Sequence, residues 1–237
     1  MIVLASNSPR RRQLMALGGW QFKVCPADVD ESPCMDEQPR EYVLRVAEEK
    51  AQAAWRDLPR HCLSAPSQDA LVLAADTAVV DGGQILGKPA DAGEAWRMLL
   101  QLRGRSHQVF TSLVVLQPGS GRMVKDVCIT DVPMREYTDR EIGAYIASGD
   151  PFDKAGAYAI QHEAFHPVEQ LQGCYANVMG LPLCHVTRML AQFGVLGGQD
   201  VPRGCQDLNA YTCTVYSQLL PGKNQDIETI RQNEQKS

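Results

Sequence analysis

The sequence of 237 residues lacks several features that mark particular classes of protein. It contains no run of about 18 apolar residues, so no segment is expected to span a membrane. Its N-terminus carries no basic segment followed by an apolar one, so no secretory signal is expected. The net charge of -5 argues against a nucleic-acid polymer as a partner, because proteins that bind such polymers usually present a basic face to the phosphates.

Closely spaced cysteine pairs are also missing, since none of the eight cysteines belongs to a C-x-x-C motif. A chain of this length that is 44% hydrophobic can bury a core without a disulfide framework. Cys128 and Cys184 lie in apolar stretches, where a thiol packs as a small hydrophobic group. We therefore expect free thiols and a cytoplasmic location.

Strand-like and helix-like patterns alternate along the chain, without an internal repeat. This order predicts an α/β protein with one domain over residues 1–196, followed by an extension over residues 197–237. The extension is polar and rich in Gln and Asn, so loose order is expected there, apart from a short strand at Tyr211–Val215. Predicted strands cover residues 2–5, 21–24, 71–75, 109–116, 123–132 and 157–160. Predicted helices cover residues 9–17 and 39–55, and three more end at Gly104, Gly149 and Gly194. Asp91 with Glu94 and Thr138 with Glu141 form predicted capping boxes for the helices that end at Gly104 and Gly149.

The N-terminal segment joins an apolar strand, Ile2–Ala5, to a polar turn and a basic helix start, Ser6–Arg12. Ser8 is a suitable N-cap, and Pro9 suits the first helical position. The free N–H groups of the first turn and three arginine side chains together favour binding of phosphate oxygens. The segment is equally typical of a solvated basic turn in an ordinary βα unit.

A buried-strand pattern at Leu71–Ala75 runs directly into Asp76 and Thr77. Ligands of open α/β sheets bind beyond the carboxyl ends of strands, so Asp76 is the main candidate for a catalytic carboxylate. The alternative is an aspartate that only caps a turn. Lys88 follows on a tight connection and is predicted to lie near Asp76.

Lys50 falls on the apolar stripe of the helix predicted at residues 39–55. Its ammonium group either extends along the protein surface to water or borders a cleft for an anionic ligand. The acidic segment Asp28–Glu31 precedes this helix, and a solvated loop is the simpler interpretation of so short a charge run.

Eight short motifs occur along the chain in a fixed order. They are Ser6–Arg11, Asp28–Glu31, Glu49–Ala51, Ala75–Thr77, Gly87–Pro89, His107–Val109, Asp153–Tyr158 and Gly180–Leu183. In this order, from residue 2 to about residue 194, the chain resembles the Maf family of nucleoside triphosphate pyrophosphatases. The resemblance implies a long, mixed, twisted sheet flanked by helices, with two lobes around a substrate cleft, similar to the inosine triphosphate pyrophosphatases.

The resemblance also implies hydrolysis of a nucleoside triphosphate to the monophosphate and pyrophosphate, with Mg²⁺ or Mn²⁺, by a homodimer that removes surplus or non-standard nucleotides. Asp76 matches the proton acceptor of the family, and Glu31 and Asp76 are the implied metal ligands. Ser8, Arg11, Lys50 and Lys88 match positions around the triphosphate. Arg10, Thr77 and Gln161 match positions associated with base preference in the branch that acts on dTTP and UTP.

Two stretches depart from that branch. Around Gln161 the branch usually reads Tyr-Gly-Ile-Gln-Gly, whereas this chain has Ala159 and His162 in place of the two glycines, and Cys174 replaces the serine of a later Gly-Ser-Tyr. A pyrophosphatase of broader specificity, or one that acts on 7-methyl-GTP, is therefore an alternative. The 7-methyl-GTP branch fits less well, because it usually has Trp where this chain has Arg10 and Gln where it has Thr77.

Two further alternatives belong to other functional classes. Residues 162–166 spell the H-E-x-x-H motif of zinc metalloproteases through His162, Glu163 and His166, but this site requires a helix and a third ligand. Pro167 follows at once, and no third histidine ligand is evident. The Maf family has also been linked to septum formation, so a cell-division regulator that acts by binding is the other alternative.

Overall fold

The computed structural model describes residues 1–61 and 69–220 of the chain. Its strands are β1 (Ile2–Leu4), β2 (Phe22–Val24), β3 (Leu71–Asp81), β4 (Gln84–Leu86), β5 (Ser106–Gln117) and β6 (Arg122–Pro133). Its helices are α1 (Pro9–Leu17), α2 (Pro39–His61), α3 (Ala92–Leu102), α4 (Asp139–Ala147), α5 (Tyr175–Val178), α6 (Leu183–Ala191), α7 (Val201–Asn209) and α8 (Tyr216–Leu219). None of these described helices has the length and apolar character needed to cross a bilayer.

The strands form one mixed sheet in the order β2-β1-β3-β5-β6, and β4 pairs with the far end of β3. β1 runs parallel to both β2 and β3, whereas β5 runs antiparallel to its two neighbours, β3 and β6. α2 covers one face of the sheet, and α1, α3, α4 and α6 contribute to the larger core on the other face. The predicted mixed sheet flanked by helices is confirmed.

Side chains of β3 alternate between the two apolar layers, as the two-residue period of a strand requires. Val72 and Ala74 pack in the layer beneath α2, and Leu73 packs in the larger core on the opposite face. By the same alternation, Asp76 continues the row that faces α2, and Thr77 continues the opposite row. A carboxylate therefore replaces an apolar side chain in a buried row.

β3 is longer than predicted and passes through Asp76 instead of ending there. β1 pairs with β3 only as far as Leu73, and β4 pairs with it only from Val79 onward. Among the described residues, the intervening stretch of β3 thus has no neighbouring strand on that side. The prediction that the strand ends at Asp76 is wrong, but Asp76 does lie beyond the carboxyl end of the parallel strand β1.

The predicted N-caps of three helices are confirmed. The Ser8 hydroxyl accepts a hydrogen bond from the N–H of Arg11 at 3.4 Å at the start of α1. The Asp91 carboxylate caps α3 in the same way, and Thr138 forms a reciprocal capping box at the start of α4. α2 continues to His61, beyond the predicted end at Trp55.

The strand predicted at residues 157–160 is wrong. Gly156 and Ala157 have φ angles of 68° and 60°, which lie in the left-handed region and interrupt an extended backbone. Residues 155–157 instead form a short 3-10 turn, and an irregular loop carries Gln161.

The described part of the extension contains two helices, α7 and α8. The sequence instead predicts loose order there, with a short strand at Tyr211–Val215. The Asp200 carboxylate caps α7 by accepting from the N–H of Arg203 at 3.2 Å, and Val201 is buried. α7 contacts α1 and α6, so it packs on the larger core. The strand is wrong, because the residues between α7 and α8 pair with no other strand in the described structure.

The cysteines differ from expectation at one position. Cys25 is disulfide-bonded, whereas free thiols are predicted throughout. Cys62 lies outside the described residues. The described free thiols are those of Cys34, Cys128, Cys174, Cys184, Cys205 and Cys213.

Candidate active site

A hollow of about 380 Å³ opens at the stretch of β3 that lacks a neighbouring strand, beyond the carboxyl end of β1. This volume is within the usual range for a small-molecule site. All nine predicted site residues line it, namely Ser8, Arg10, Arg11, Glu31, Lys50, Asp76, Thr77, Lys88 and Gln161. The fold thus brings residues from both ends of the Maf-like sequence pattern to one place.

One wall of the hollow carries an ion-paired group of one ammonium and two carboxylates. Lys50 Nζ on α2 lies 2.7 Å from Asp76 Oδ1 on β3 and 2.6 Å from Glu31 Oε1 in the loop before α2. Lys50 and Asp76 are both buried. Charges at such depth are tolerated only when they are paired, so Lys50 holds the two carboxylates at one point.

Glu31 lies at the open side of this group, with 43% of its side chain exposed. Burial alone would raise the pKa of Glu31, but the hydrogen bond from Lys50 and the charges of Lys50 and Lys88 outweigh it and lower that pKa. Lys88 Nζ lies 3.8 Å from Glu31 Oε2 and is largely exposed. Its ammonium group can therefore reach a ligand in the hollow.

The carboxylates fit a hard divalent cation of the kind that the family resemblance implies. Asp76 Oδ2 is buried and has no hydrogen-bond partner in the described structure, so an acceptor oxygen is left for a further ligand. No three His, Cys, Asp or Glu side chains of residues 1–61 and 69–220 converge as a complete metal site. Two carboxylates plus substrate oxygens are the usual way to hold Mg²⁺ at a phosphate site.

Arg11 lies on the other face of β3 and is engaged mainly by protein oxygens. Its Nε donates to the Gly180 carbonyl at 2.8 Å, and its two terminal nitrogens donate to the Ala75 carbonyl at 2.8 Å and the Thr77 hydroxyl at 3.0 Å. Burial lowers the pKa of Arg11, and the negative charge of Asp76 opposes that effect. The side chain thus fills the place of the missing strand beside Ala75 and leaves few N–H groups for the phosphate contact that the sequence predicts.

Arg10 and Gln161 line the hollow with polar groups that remain available. Neither side chain has a hydrogen bond or an ion pair with another described residue. Ser8 also lines the hollow, but its hydroxyl already caps α1. The cationic side chains of Arg10 and Lys88 and the amide of Gln161 line the same hollow as the two carboxylates. The hollow therefore offers both anion-binding and hydrogen-bonding groups to a ligand.

The family model described as Maf-like protein matches residues 1–193. The chain belongs to the Maf family. The dTTP/UTP pyrophosphatase of Citrifermentans bemidjiense is 45% identical over 196 residues, which is 83% of this chain and 97% of that protein. That of Geobacter sulfurreducens is 43% identical over 82% of this chain and 97% of its own length. That of Chromobacterium violaceum is 46% identical over 81% of this chain and 94% of its own length.

Among solved structures, that of the Staphylococcus aureus Ham1 protein matches with a TM-score of 0.39 and 17% sequence identity. The match covers 66% of this chain and 84% of that one. This likeness is too weak to bear on the site or the substrate of the Maf protein.

The H-E-x-x-H motif of this Maf protein does not adopt the geometry of a zinc metalloprotease. His162 and His166 lie in irregular turns instead of on a helix, and His166 has a positive φ of 41°. His162 Nδ1 accepts a hydrogen bond from the N–H of Phe165 at 2.9 Å. The helix that would present both histidines to one metal is absent from this described segment.

Two residues that hold segments around the hollow of the Maf protein, Tyr42 and Asn177, are not predicted from the sequence. The Tyr42 hydroxyl donates to the Glu31 carbonyl at 2.9 Å and so holds the loop that carries this carboxylate. Asn177 is fully buried and donates to the Val109 carbonyl at 3.0 Å and the Thr130 hydroxyl at 2.9 Å, which fixes α5 against the sheet. For Tyr42, the sequence offers one indication: it precedes Lys50 by about two helical turns, which places both residues on the same face of α2.

Proposed function

We propose that this protein hydrolyses dTTP and UTP to the nucleoside monophosphate and pyrophosphate, and thereby removes surplus or non-standard nucleotides. The observation that carries the proposal is the Asp76–Lys50–Glu31 group at the wall of a hollow that also holds available cations. The three relatives described above are named for the same reaction, and they match this chain over more than nine-tenths of their length.

The reaction requires water to attack the α-phosphorus while the bond to the bridging oxygen of pyrophosphate breaks. The unpartnered Oδ2 of Asp76 is suited to accept the proton that this water loses. Lys50 donates a hydrogen bond to Asp76 Oδ1 at 2.7 Å and so fixes the orientation of this buried carboxylate. The orientation is well defined because both partners of this ion pair are buried.

Positive charge in the hollow supports binding of the triphosphate and departure of pyrophosphate. Lys88 and Arg10 supply cationic groups that are not committed to a buried partner, and such groups stabilise the charge that develops on the leaving group. Mg²⁺ or Mn²⁺, when held by Glu31 and Asp76 together with phosphate oxygens, would shield the same charge.

The base preference is assigned to Arg10, Thr77 and Gln161. The Gln161 amide offers both a donor and an acceptor, as recognition of a pyrimidine edge requires. The Thr77 hydroxyl accepts a hydrogen bond from Arg11 and lies 3.0 Å from the Thr111 hydroxyl. It therefore helps to fix the shape of the pocket as well as offering a contact to the ligand. Activity on 7-methyl-GTP, or on many bases alike, is the competing specificity.

A panel of natural and modified nucleoside triphosphates, assayed for pyrophosphate release with Mg²⁺ or Mn²⁺, tests the substrate. We expect dTTP and UTP to have the highest kcat/KM values, and we expect a chelator to abolish turnover until metal is restored. A preference for a purine nucleotide would contradict the assignment of Gln161.

Replacement of the carboxylate tests the mechanism. Asp76→Asn should lower kcat by about 10²- to 10⁴-fold, because the amide cannot accept a proton. Asp81→Asn is the matched control, since Asp81 is a buried carboxylate on the same strand that pairs with Gln101 and Arg105 and does not line the hollow. Full turnover in Asp76→Asn, or equal losses in both variants, would refute the role of Asp76.

The homodimer, the cytoplasmic location, the absence of a nucleic-acid partner and the domain boundary at residue 196 stay predictions of the sequence. Sedimentation of the purified protein tests the first. The residues assigned to phosphate, metal and base are likewise proposals, and the substitutions above test them.

A further inference from the structure

The extension beyond the Maf-matched region contacts the body at a segment that continues into the wall of the hollow. The family model ends at residue 193, whereas α7 and α8 follow it. The aligned regions of the Citrifermentans and Geobacter proteins already account for 97% of their own lengths. Too little of either protein remains to supply these two helices, so neither of these two relatives shares the contact described next.

Tyr211 is the residue of the extension with the most direct polar contact to the body. It follows α7 after Ala210, whose positive φ of 46° reverses the chain. The Tyr211 hydroxyl accepts from the Gly173 N–H at 3.1 Å and can donate to the carbonyl of Leu171 at 3.2 Å or of Gly173 at 3.0 Å. Its ring also lies 5.5 Å from that of Tyr175. One side chain therefore fixes the backbone of residues 171–173.

The segment held by Tyr211 continues directly into one wall of the hollow. Cys174 precedes α5, and residues 178–180, which include the last residue of this helix, line the hollow. Gly173 has a φ of 148°, and a Cβ there would lie 3.0 Å from the Thr130 side chain, so the segment has little freedom to shift. Its far end is held by the hydrogen bond from Arg11 to the Gly180 carbonyl. The segment from Gly173 to Gly180 is therefore held at both ends, and loss of the contact at Gly173 should alter the wall at the other end.

The wall at residues 178–180 and the Asp76–Lys50–Glu31 group lie on opposite faces of β3. The Thr77 side chain lies on one face, where Arg11 links it to the Gly180 carbonyl. Asp76 and Lys50 lie on the other face, beneath α2. Movement of the wall should therefore change how the nucleotide is held more than how its phosphorus reacts.

We propose that Tyr211 is a positioning residue, whose hydroxyl keeps residues 171–175, and through them the wall at residues 178–180, in the shape that binds the nucleotide. This inference rests on the proposed function. It assigns the extension a part in substrate binding without any contact between the extension and the substrate.

Steady-state kinetics of Tyr211→Phe in the full chain test the proposal. We expect KM for dTTP and UTP to rise about fivefold, the equivalent of a lost hydrogen bond, with kcat changed less than about twofold. Tyr216→Phe is the matched control, because Tyr216 lies in the same extension and its hydroxyl has no hydrogen bond to a described residue. KM should not change in that variant.

Thiol reactivity gives a second readout that does not depend on turnover. Cys174, Cys184 and Cys205 line a small cavity between the extension and the body, and burial raises the pKa of Cys184 and Cys205 to about 12. An aromatic disulfide reagent should therefore react faster with the buried thiols of Cys174 and Cys184 and the half-buried thiol of Cys205 in Tyr211→Phe than in the wild type or in Tyr216→Phe.

The outcomes separate this inference from the proposed function. A wild-type protein that releases no pyrophosphate from dTTP or UTP would overturn the proposed function and this inference with it. An active wild type with an unchanged KM in Tyr211→Phe, or an equal rise in Tyr216→Phe, would overturn the role of Tyr211 alone. An unchanged thiol reactivity in Tyr211→Phe would break the link between the hydroxyl and the segment that it holds.

Discussion

At the scale of single residues, the site depends on charges placed in rows that are otherwise apolar. Lys50 occupies the buried stripe of α2, and its ammonium group is paired with Asp76 and Glu31 instead of reaching water. The alternative of a surface-extended lysine is therefore wrong. Asp76 occupies the matching row of β3, so each charge compensates the burial of the other.

His107 provides a prediction at this scale. It is buried on β5, with Nε2 2.8 Å from the Tyr158 hydroxyl, and Tyr158 lines the hollow. Burial lowers the pKa of His107 from 6.5 to about 4. Between these values the unfolded chain binds a proton that the folded protein excludes, so the free energy of unfolding should fall as the pH drops through this window, by at most about 1.4 kcal/mol per pH unit.

Urea unfolding at several pH values between about 7 and about 4.5 measures this dependence. His107→Gln should flatten the slope, because glutamine does not titrate. Glu37, Asp126 and Glu141 have pKa values lowered to about 2 and act mainly below the window. Identical slopes in the wild type and the variant would show that His107 does not cause the dependence.

At the scale of secondary-structure elements, the features that can be predicted from the sequence are those that depend on contacts between residues close together in the chain. The caps at Ser8, Asp91 and Thr138 each join residues three positions apart, and all are formed as predicted. The end of β3 is mispredicted because Asp76 and Thr77 look like a strand terminus. Their partners Lys50 and Arg11 come from distant parts of the chain, and these make polar residues acceptable inside a strand.

The loop that carries Gln161 shows the same limit. Residues 157–160 have the composition of a strand, but Gly156 approaches Val79 so closely that an added Cβ would lie 2.9 Å from its side chain. Only glycine fits this tertiary contact, and glycine also permits the left-handed conformation that interrupts the strand, which the sequence pattern does not reveal. Which residues gather in the hollow was nevertheless predictable, since every residue assigned from the motifs lines it.

The capping box of α4 yields a prediction for an element. Thr138→Ala removes the hydroxyl that accepts from the Glu141 N–H at 3.3 Å and should lower the free energy of unfolding by about 1 kcal/mol. Thr138→Ser retains an acceptor and should lose much less. Urea denaturation measures both, and kcat should not change because α4 contributes no residue to the hollow. Equal losses in the two variants would mean that the cap is not the cause.

At the scale of the whole molecule, the charge of the hollow is opposite to that of the chain. The net charge is -5, yet the residues lining the hollow include five cationic side chains (Arg10, Arg11, Lys50, Lys88 and Lys154) and three anionic ones (Glu31, Asp76 and Asp153). A triphosphate is therefore attracted to one place on an otherwise acidic protein.

This distribution predicts a dependence on salt. Raising the ionic strength from about 20 mM to about 300 mM shortens the screening length and should lower kcat/KM by about three- to tenfold. Lys88→Gln should weaken the dependence. Lys125→Gln is the matched control, since Lys125 is also exposed but pairs with Glu48 on the surface, and it should behave as the wild type. Equal salt dependence in both variants would contradict attraction by the hollow.

The position of Arg11 limits how the specificity of this enzyme can be redesigned. One guanidinium joins the Ala75 carbonyl, the Thr77 hydroxyl and the Gly180 carbonyl. A substitution at Thr77 that alters the choice of base therefore also releases one of the three tethers. A new base preference can therefore arise without loss of these hydrogen bonds only if the residues bonded to Thr77 change with it. Related proteins with a different base preference should accordingly show correlated replacements at Thr77, Arg11 and Thr111.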